Sequence, residues 1–337
     1  MATDESKVKC SIDLSAAGKQ FGHLDIPHSR NDSGWGAVHL PVISLRHGAG
    51  PTLVFTGGSH GDEYEGPIAL MKLARSLDAD EIAGQVIIIP ALNFPAVMAG
   101  ARLSPIDGVN MNRAFPGVRD GTVSDMIAHF VHQKILSLAD CVLDIHSGGK
   151  TMMFSPFACC HKIPNEAVMT ETRLAMLAFG APISLELVEL DAEGMIDTAV
   201  EDMGKIFVGT ELGGGGTTTT ETVAIAEVGA RNLLAHFGVI DEAPVSRQAR
   251  GLSPTRKMHT PNGDCYVISE DSGIYEALVD LDSTVEAGDA LGQVHFPEKP
   301  ERAPAIYRAN RPGTLIGRTH KALVTAGDFL ALTAVDM

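Results

Sequence analysis

The sequence predicts an α/β fold: a mixed, mostly parallel sheet flanked by helices, with a small N-terminal β segment before it and a C-terminal β-barrel-like domain after it. Two stretches carry the central prediction. Thr52-Leu53-Val54-Phe55-Thr56 is a short apolar run closing on Gly57-Gly58, and a helical stretch from Glu63 to Leu77 leads to a second run, Gln85 to Ile89. Strand, helix, strand at this spacing is a βαβ unit, whose parallel strands are buried on both faces and read as continuous apolar runs. The third observation is a change of texture after about 250, where helical periodicity gives way to short β-type runs punctuated by glycine.

The elements follow in order. Residues 1–45 are a β-rich opening segment ending in the alternating run Val38 to Leu45. Residues 46–250 form the α/β domain. Its helices are expected near Glu63–Leu77, Val123–Leu138, Asn165–Phe179, Met195–Met203 and Glu221–Phe237, with further strands at Cys141–Ile145 and Lys205–Thr210. Residues 251–337 contain an internal half-repeat, V-x-A-G-D-x-L, at Val285–Leu291 and Val324–Leu330. Gly-Asp at its centre suits a hairpin turn, and the pair is similar to the two halves of a biotinyl/lipoyl barrel. The tip between the halves reads Pro297-Glu298-Lys299-Pro300-Glu301, and proline beside the lysine argues against a carrier role for Lys299.

Composition narrows the function classes. The 337 residues are 45% apolar and 20% charged, as in an ordinary globular protein, and the formal net charge of −16 argues against nucleic acid or an anionic membrane as partner. The start, Met1 to Lys7, lacks the apolar core of a secretory leader, and no apolar run approaches the ~20 residues needed to span a bilayer. Five cysteines (Cys10, Cys141, Cys159, Cys160, Cys265), without C-x-x-C spacing, fit a reduced cytoplasm. Cys159 and Cys160 read as small buried residues. The expected partner is a small molecule, and the expected assembly a homo-oligomer.

The strongest chemical signal is Gly57-Gly58-Ser59-His60-Gly61-Asp62-Glu63, at the end of the first strand of the α/β domain, where open α/β sheets bind ligands. His60 and Glu63 are three apart, so a helical turn would point both the same way. Asp144-Ile145-His146-Ser147-Gly148-Gly149 supplies a second histidine at another strand end. Two His and one Glu make an open zinc site whose fourth position is left for water, the arrangement amide hydrolysis needs. A Cys159-Cys160-His161 metal site is a weaker rival.

Arg102 and Asn112-Arg113 lie in a loop rich in Gly, Pro and Asn. Arginine suits carboxylate recognition because its planar fork engages both oxygens. Glu211 ends the apolar run Ile206 to Val208, where burial would raise its pKa and suit it to act as a general base. The four glycines after it, Gly213 to Gly216, lack the Lys-Ser/Thr of a phosphate loop and are read as flexible backbone near a substrate.

With these residues in hand, the chain resembles the succinylglutamate desuccinylase/aspartoacylase family, relatives of the zinc carboxypeptidases. The resemblance covers about 50 to 240 and rests on His60-x-x-Glu63, Asn112-Arg113, His146 and Glu211 in that order. It implies a zinc carboxypeptidase-like fold and one Zn²⁺ per chain on His60, Glu63 and His146. It also implies that Asn112 and Arg113 bind the substrate carboxylate, Arg102 polarises the scissile carbonyl, and Glu211 is the base. The stretches Gly57–Leu70, Ser104–Gly108, His146–Lys150 and Thr210–Thr217 are similar to the branch of the family that deacetylates N-acetyl-diaminobutyrate in ectoine degradation. The implied substrate is then a small N-acyl amino acid with a cationic side chain, for which Asp107 and the acids between Glu189 and Asp197 are candidate readers. The alternatives are another deacylase of the family, a metallocarboxypeptidase and a non-catalytic binding protein, the last disfavoured because a binding module needs no base.

Overall fold

A computed structural model describes residues 6–337, so the leader reading at Met1–Lys7 falls largely outside the described residues. The backbone is organised around one long mixed sheet. At its centre Gly84–Ile89, Thr52–Gly57, Cys141–His146 and Ile206–Glu211 lie side by side and parallel. Alternation along these strands sorts their side chains into two layers. Leu53, Phe55, Val86, Ile88 and Leu143 join the core beneath helices Glu65–Ser76, Glu166–Phe179 and Thr220–His236. Val54, Ile87, Ile89 and Val142 face the other core, shared with Val123–Phe130 and Ile196–Asp202. Phe55 is fully buried, and truncating such a side chain to alanine costs ~3–5 kcal/mol.

The sheet is parallel only in places, not mostly parallel. The hairpin Gly18–Pro27/Ala37–His47 adds antiparallel to Gly84–Ile89. On the other side Phe157–His161 joins Ile206–Glu211 antiparallel, Ile183–Leu187 and Arg256–His259 continue in parallel, and Phe329–Asp336 closes antiparallel. Phe157–His161 and Ile183–Leu187 are absent from the predicted elements. Each is only five residues long, and the strands they pair with are remote in sequence, so no local period announces them. The predicted helices all form, the one at Val123 continuing through a π turn, Val131–Ile135, and a 3₁₀ turn, Leu136–Leu138.

Beyond 250, strand pairing among the described residues does not close a barrel. Gly313–Thr319 and Thr284–Val285 extend the long sheet through Phe329–Asp336, while Ala305–Arg308, Ala290–His295, Gly273–Ala277 and Leu323–Val324 form a separate four-stranded sheet. The half-repeat is real in three dimensions. Gly288 and Gly327 both have positive φ, 92° and 96°, and Asp289 and Asp328 accept the backbone N–H of Glu286 and Thr325, each at 2.8 Å. Neither repeat is a hairpin, however. In each the chain leaves one sheet for the other, because Val285, Leu291, Val324 and Leu330 all enter the core between the two sheets. Lys299 stands exposed in the loop after Ala290–His295. Among the described residues no helix is long and apolar enough to cross a membrane.

Candidate active site

The parallel strands end on one edge, and their ends carry the polar residues. Strand Thr52–Gly57 stops at Gly57, and a tight turn rather than a helix brings His60 back to Glu63; the next helix starts only at Glu65. Gly61 is obligatory in this turn, since a Cβ there would lie 2.0 Å from the backbone of Ala96. Strand Cys141–His146 delivers His146 beside them. His60 Nδ1 is 2.7 Å from Glu63 Oε1, and His146 Nδ1 is 2.8 Å from Glu63 Oε2. One ligand atom from each of the three lies within 4.8 Å of the others, and two imidazoles with one carboxylate suit a zinc-type cation.

Electrostatics tie the three side chains together. Burial opposes the charge on Glu63, but His60 and His146 outweigh it and hold the carboxyl far below the usual range. His60 is pushed down by burial. His146 goes the other way: burial is outweighed by Asp144 and Glu63, which raise it well above an ordinary imidazole. Asp144, fully buried, accepts from Thr56 Oγ1 at 2.7 Å and Ser59 Oγ at 3.0 Å, and lies 2.7 Å from His146 Nε2. It fixes the ring so that Nδ1 faces the cluster, as second-layer carboxylates do for metal-binding histidines. Sequence reading passed over Asp144, although the D-x-H spacing at a strand end was its signal.

A cavity of about 280 Å³ opens from this cluster. His60, His146, Arg102, Asn112, Arg113 and Glu211 all line it, while Glu63 lies buried behind the two histidines. Glu211 Oε2 is buried without a hydrogen-bond partner. Burial first, then the nearby Glu63, raises its pKa well above that of a free carboxyl. Arg102 Nη1 reaches Glu63 Oε1 at 3.4 Å. Asn112 is buried and its Oδ1 accepts the N–H of Ile196 at 3.0 Å, which leaves the amide nitrogen as a donor. Arg113 Nε is held by Asp191 Oδ2 at 3.2 Å. Both partners of that pair are solvent-accessible, and such pairs are worth at most about 1 kcal/mol, little obstacle to a better carboxylate.

Part of the cavity wall is acidic. Glu189 and Asp197 line it, both with pKa values raised by burial. Beside them His161 Nδ1 is 2.9 Å from Glu201 Oε2; burial disfavours its charge, but Glu201 and Asp197 raise it to about 9. His161 is thus tied to carboxylates, not to a Cys-Cys-His metal site. Cys160 is buried as expected, while Cys159 is half-buried and faces the cavity. Asp107 does not reach the cavity: its carboxylate accepts both the N–H and the hydroxyl of Ser124. The glycine run takes backbone conformations that other residues rarely adopt. All four residues have positive φ, and a Cβ on Gly214 would lie 2.0 Å from the carbonyl oxygen of Met152, so they are packed against Gly148–Met153.

Fold and site together define a class: an α/β protein with a buried His-Glu-His cluster at strand ends, opening on a small cavity with a free carboxylate and an arginine pair. Residues 49–237 match the succinylglutamate desuccinylase/aspartoacylase catalytic domain, and the chain belongs to that family. It is 44% identical, over 98% of its length and 95% of the relative's, to the N-alpha-acetyl-L-2,4-diaminobutyric acid deacetylase of Halomonas elongata. Among solved structures it is similar to the product-bound ectoine utilization protein EutE (DoeB) of Ruegeria pomeroyi, with TM-score 0.93, 44% identity, and 98% and 99% of the two chains covered. A succinylglutamate desuccinylase from Silicibacter sp. matches with TM-score 0.92 and 44% identity, over 99% of each chain.

Proposed function

We propose that the chain is a zinc-dependent hydrolase of the amide bond in small N-acyl amino acids, and that its substrate is N2-acetyl-L-2,4-diaminobutyrate. The observation that carries the reading is the unpartnered carboxylate of Glu211 beside a ready-made His60/Glu63/His146 ligand set in one cavity. The 44% identity to a diaminobutyrate deacetylase supports the choice of substrate. The catalytic unit is residues 46–250, and residues 251–337 are a C-terminal domain that contributes Tyr266, Ile268, Phe329 and Leu332 to the cavity wall. The setting is cytoplasmic and the assembly a homo-oligomer.

His60, Glu63 and His146 would hold Zn²⁺, which supplies Lewis-acid polarisation of a carbonyl and a water ionised near neutral pH. Glu211 takes the proton from the attacking water and passes it to the nitrogen of the departing amine. Its raised pKa brings it closer to the working pH, where a base can both accept and return a proton. Arg102, facing the same cavity, offers its guanidinium to the oxygen on which negative charge develops. Arg113 and the amide nitrogen of Asn112 bind the α-carboxylate. Glu189 and Asp197 then lie where a cationic side chain gains a partner and an anionic one meets repulsion.

An acetate-release assay on zinc-loaded protein tests this. The expected kcat/KM for N-acetyl-diaminobutyrate exceeds that for N-acetylaspartate by ~10²-fold or more, the scale of discrimination when buried polar groups lose their partners. Similar rates on the two defeat the substrate assignment. Failure to hydrolyse any N-acyl amino acid defeats the deacylase reading itself.

A further inference from the structure

A second His/acid/His cluster lies outside the cavity, on the N-terminal hairpin. We infer that His23, Asp25 and His39 form a surface site for a divalent cation of the zinc, nickel or copper(II) class, which staples strand Gly18–Pro27 to strand Ala37–His47.

Strand geometry assembles the site. His23 and Asp25 are two apart on one strand and so share a face, and the antiparallel register sets His39 directly opposite Asp25. Leu24, Ile26, Val38 and Leu40, at the alternate positions, are buried, which turns the three polar side chains to solvent. His39 Nδ1 lies 2.5 Å and His23 Nε2 3.2 Å from the same oxygen, Asp25 Oδ1, and the two rings meet edge to face with centroids 4.8 Å apart. One ligand atom from each residue falls within 4.8 Å of the others.

Two imidazoles and a carboxylate held this close can offer two ring nitrogens and an oxygen to one divalent cation. As neutral rings both must spend an N–H on a single acceptor; with a cation each offers a lone pair instead. Imidazole nitrogen favours zinc, nickel and copper(II), whereas magnesium and calcium take oxygen ligands. The side chains of His23, Asp25 and His39 are 41%, 34% and 64% exposed, so water completes the coordination and binding is weaker than at a closed site. The neighbouring cation is Lys9, paired in register with Asp25 from the short strand Lys9–Cys10 on the other side of Gly18–Pro27. It is exposed, and its long stem can carry the ammonium out to water.

The test is zinc binding by the full-length chain, followed by equilibrium dialysis and, in parallel, by cobalt absorption. The wild type should take up two equivalents, a tight one and a weaker exchangeable one. His23→Gln/His39→Gln should remove the weaker equivalent and leave hydrolysis unchanged, and Asp25→Asn should weaken it. In His60→Ala/His146→Ala the weaker equivalent should be the one that persists. A wild type that saturates at one equivalent overturns the inference, as does a second equivalent that survives in His23→Gln/His39→Gln. Neither outcome touches the deacylase reading, which stands or falls on acetate release.

Discussion

The chain presents nearly the same donors twice, and the two places differ in everything except the donors. His60, Glu63 and His146 are buried at the ends of parallel strands; His23, Asp25 and His39 stand on the solvent face of a hairpin. Around the buried set each ligand has further partners: Asn110 on His60, the Ser147 N–H on Glu63, Asp144 on His146. Around the exposed set the donors contact one another and little else. The buried cluster also opens on a cavity with a free carboxylate, whereas the hairpin cluster faces solvent. Donor identity therefore makes a place where a cation can sit. Partners that lock the donors and a cavity that admits a substrate make a place where chemistry can follow.

The sharpest way to break this contrast is His60→Ala/His146→Ala, which should abolish hydrolysis and the tightly held metal together. Elemental analysis after exhaustive dialysis, showing full occupancy in that variant, would falsify the ligand assignment. Glu211→Gln should keep the metal yet lose kcat by ~10²-fold or more, the usual worth of a general base. Because the base acts ionised and its pKa is raised, wild-type activity should fall as pH drops through a limb above the ordinary carboxylate range, and the glutamine variant should lack that limb. Near-native turnover in Glu211→Gln removes the residue from the mechanism.

Asp144→Asn sharpens the comparison by stripping one locking partner while leaving all three donors. Metal affinity should fall ~10–100-fold; an unchanged affinity means that the buried ring around the ligands is packing alone. The smallest effect belongs to Lys299→Arg. With its lysine exposed in a loop and hemmed by proline, this variant should match the wild type in activity, and intact mass should show no biotin or lipoate on the native protein. An added cofactor mass would reverse the reading of the C-terminal domain.

Much of the central domain was legible because its signals are local. Leu53–Phe55 and Val86–Ile89 are apolar throughout since both strand faces are covered, and that pattern survives without knowledge of any partner. His60, Glu63, His146 and Glu211 were legible because each sits just where an apolar run stops. The turn at Gly61 was misread as helix, since a three-residue spacing brings side chains together in either conformation. The glycines after Glu211 were legible as positions of free φ, but sequence does not report that Met152 lies against the Cβ position of Gly214.

By itself, then, the sequence determined the βαβ core, the polar residues near its strand ends and the half-repeat beyond 250, all of which depend on residues close in the chain. Tertiary structure decided the rest. It set the antiparallel flanks, the passage of each half-repeat from one sheet to the other, and the convergence of His146 on Glu63. It also separated Glu189 and Asp197, which face the cavity, from Asp107, which is spent on Ser124. These depend on which distant surfaces meet, and a carboxylate in a sequence looks the same whether its partner is a substrate, a serine or water.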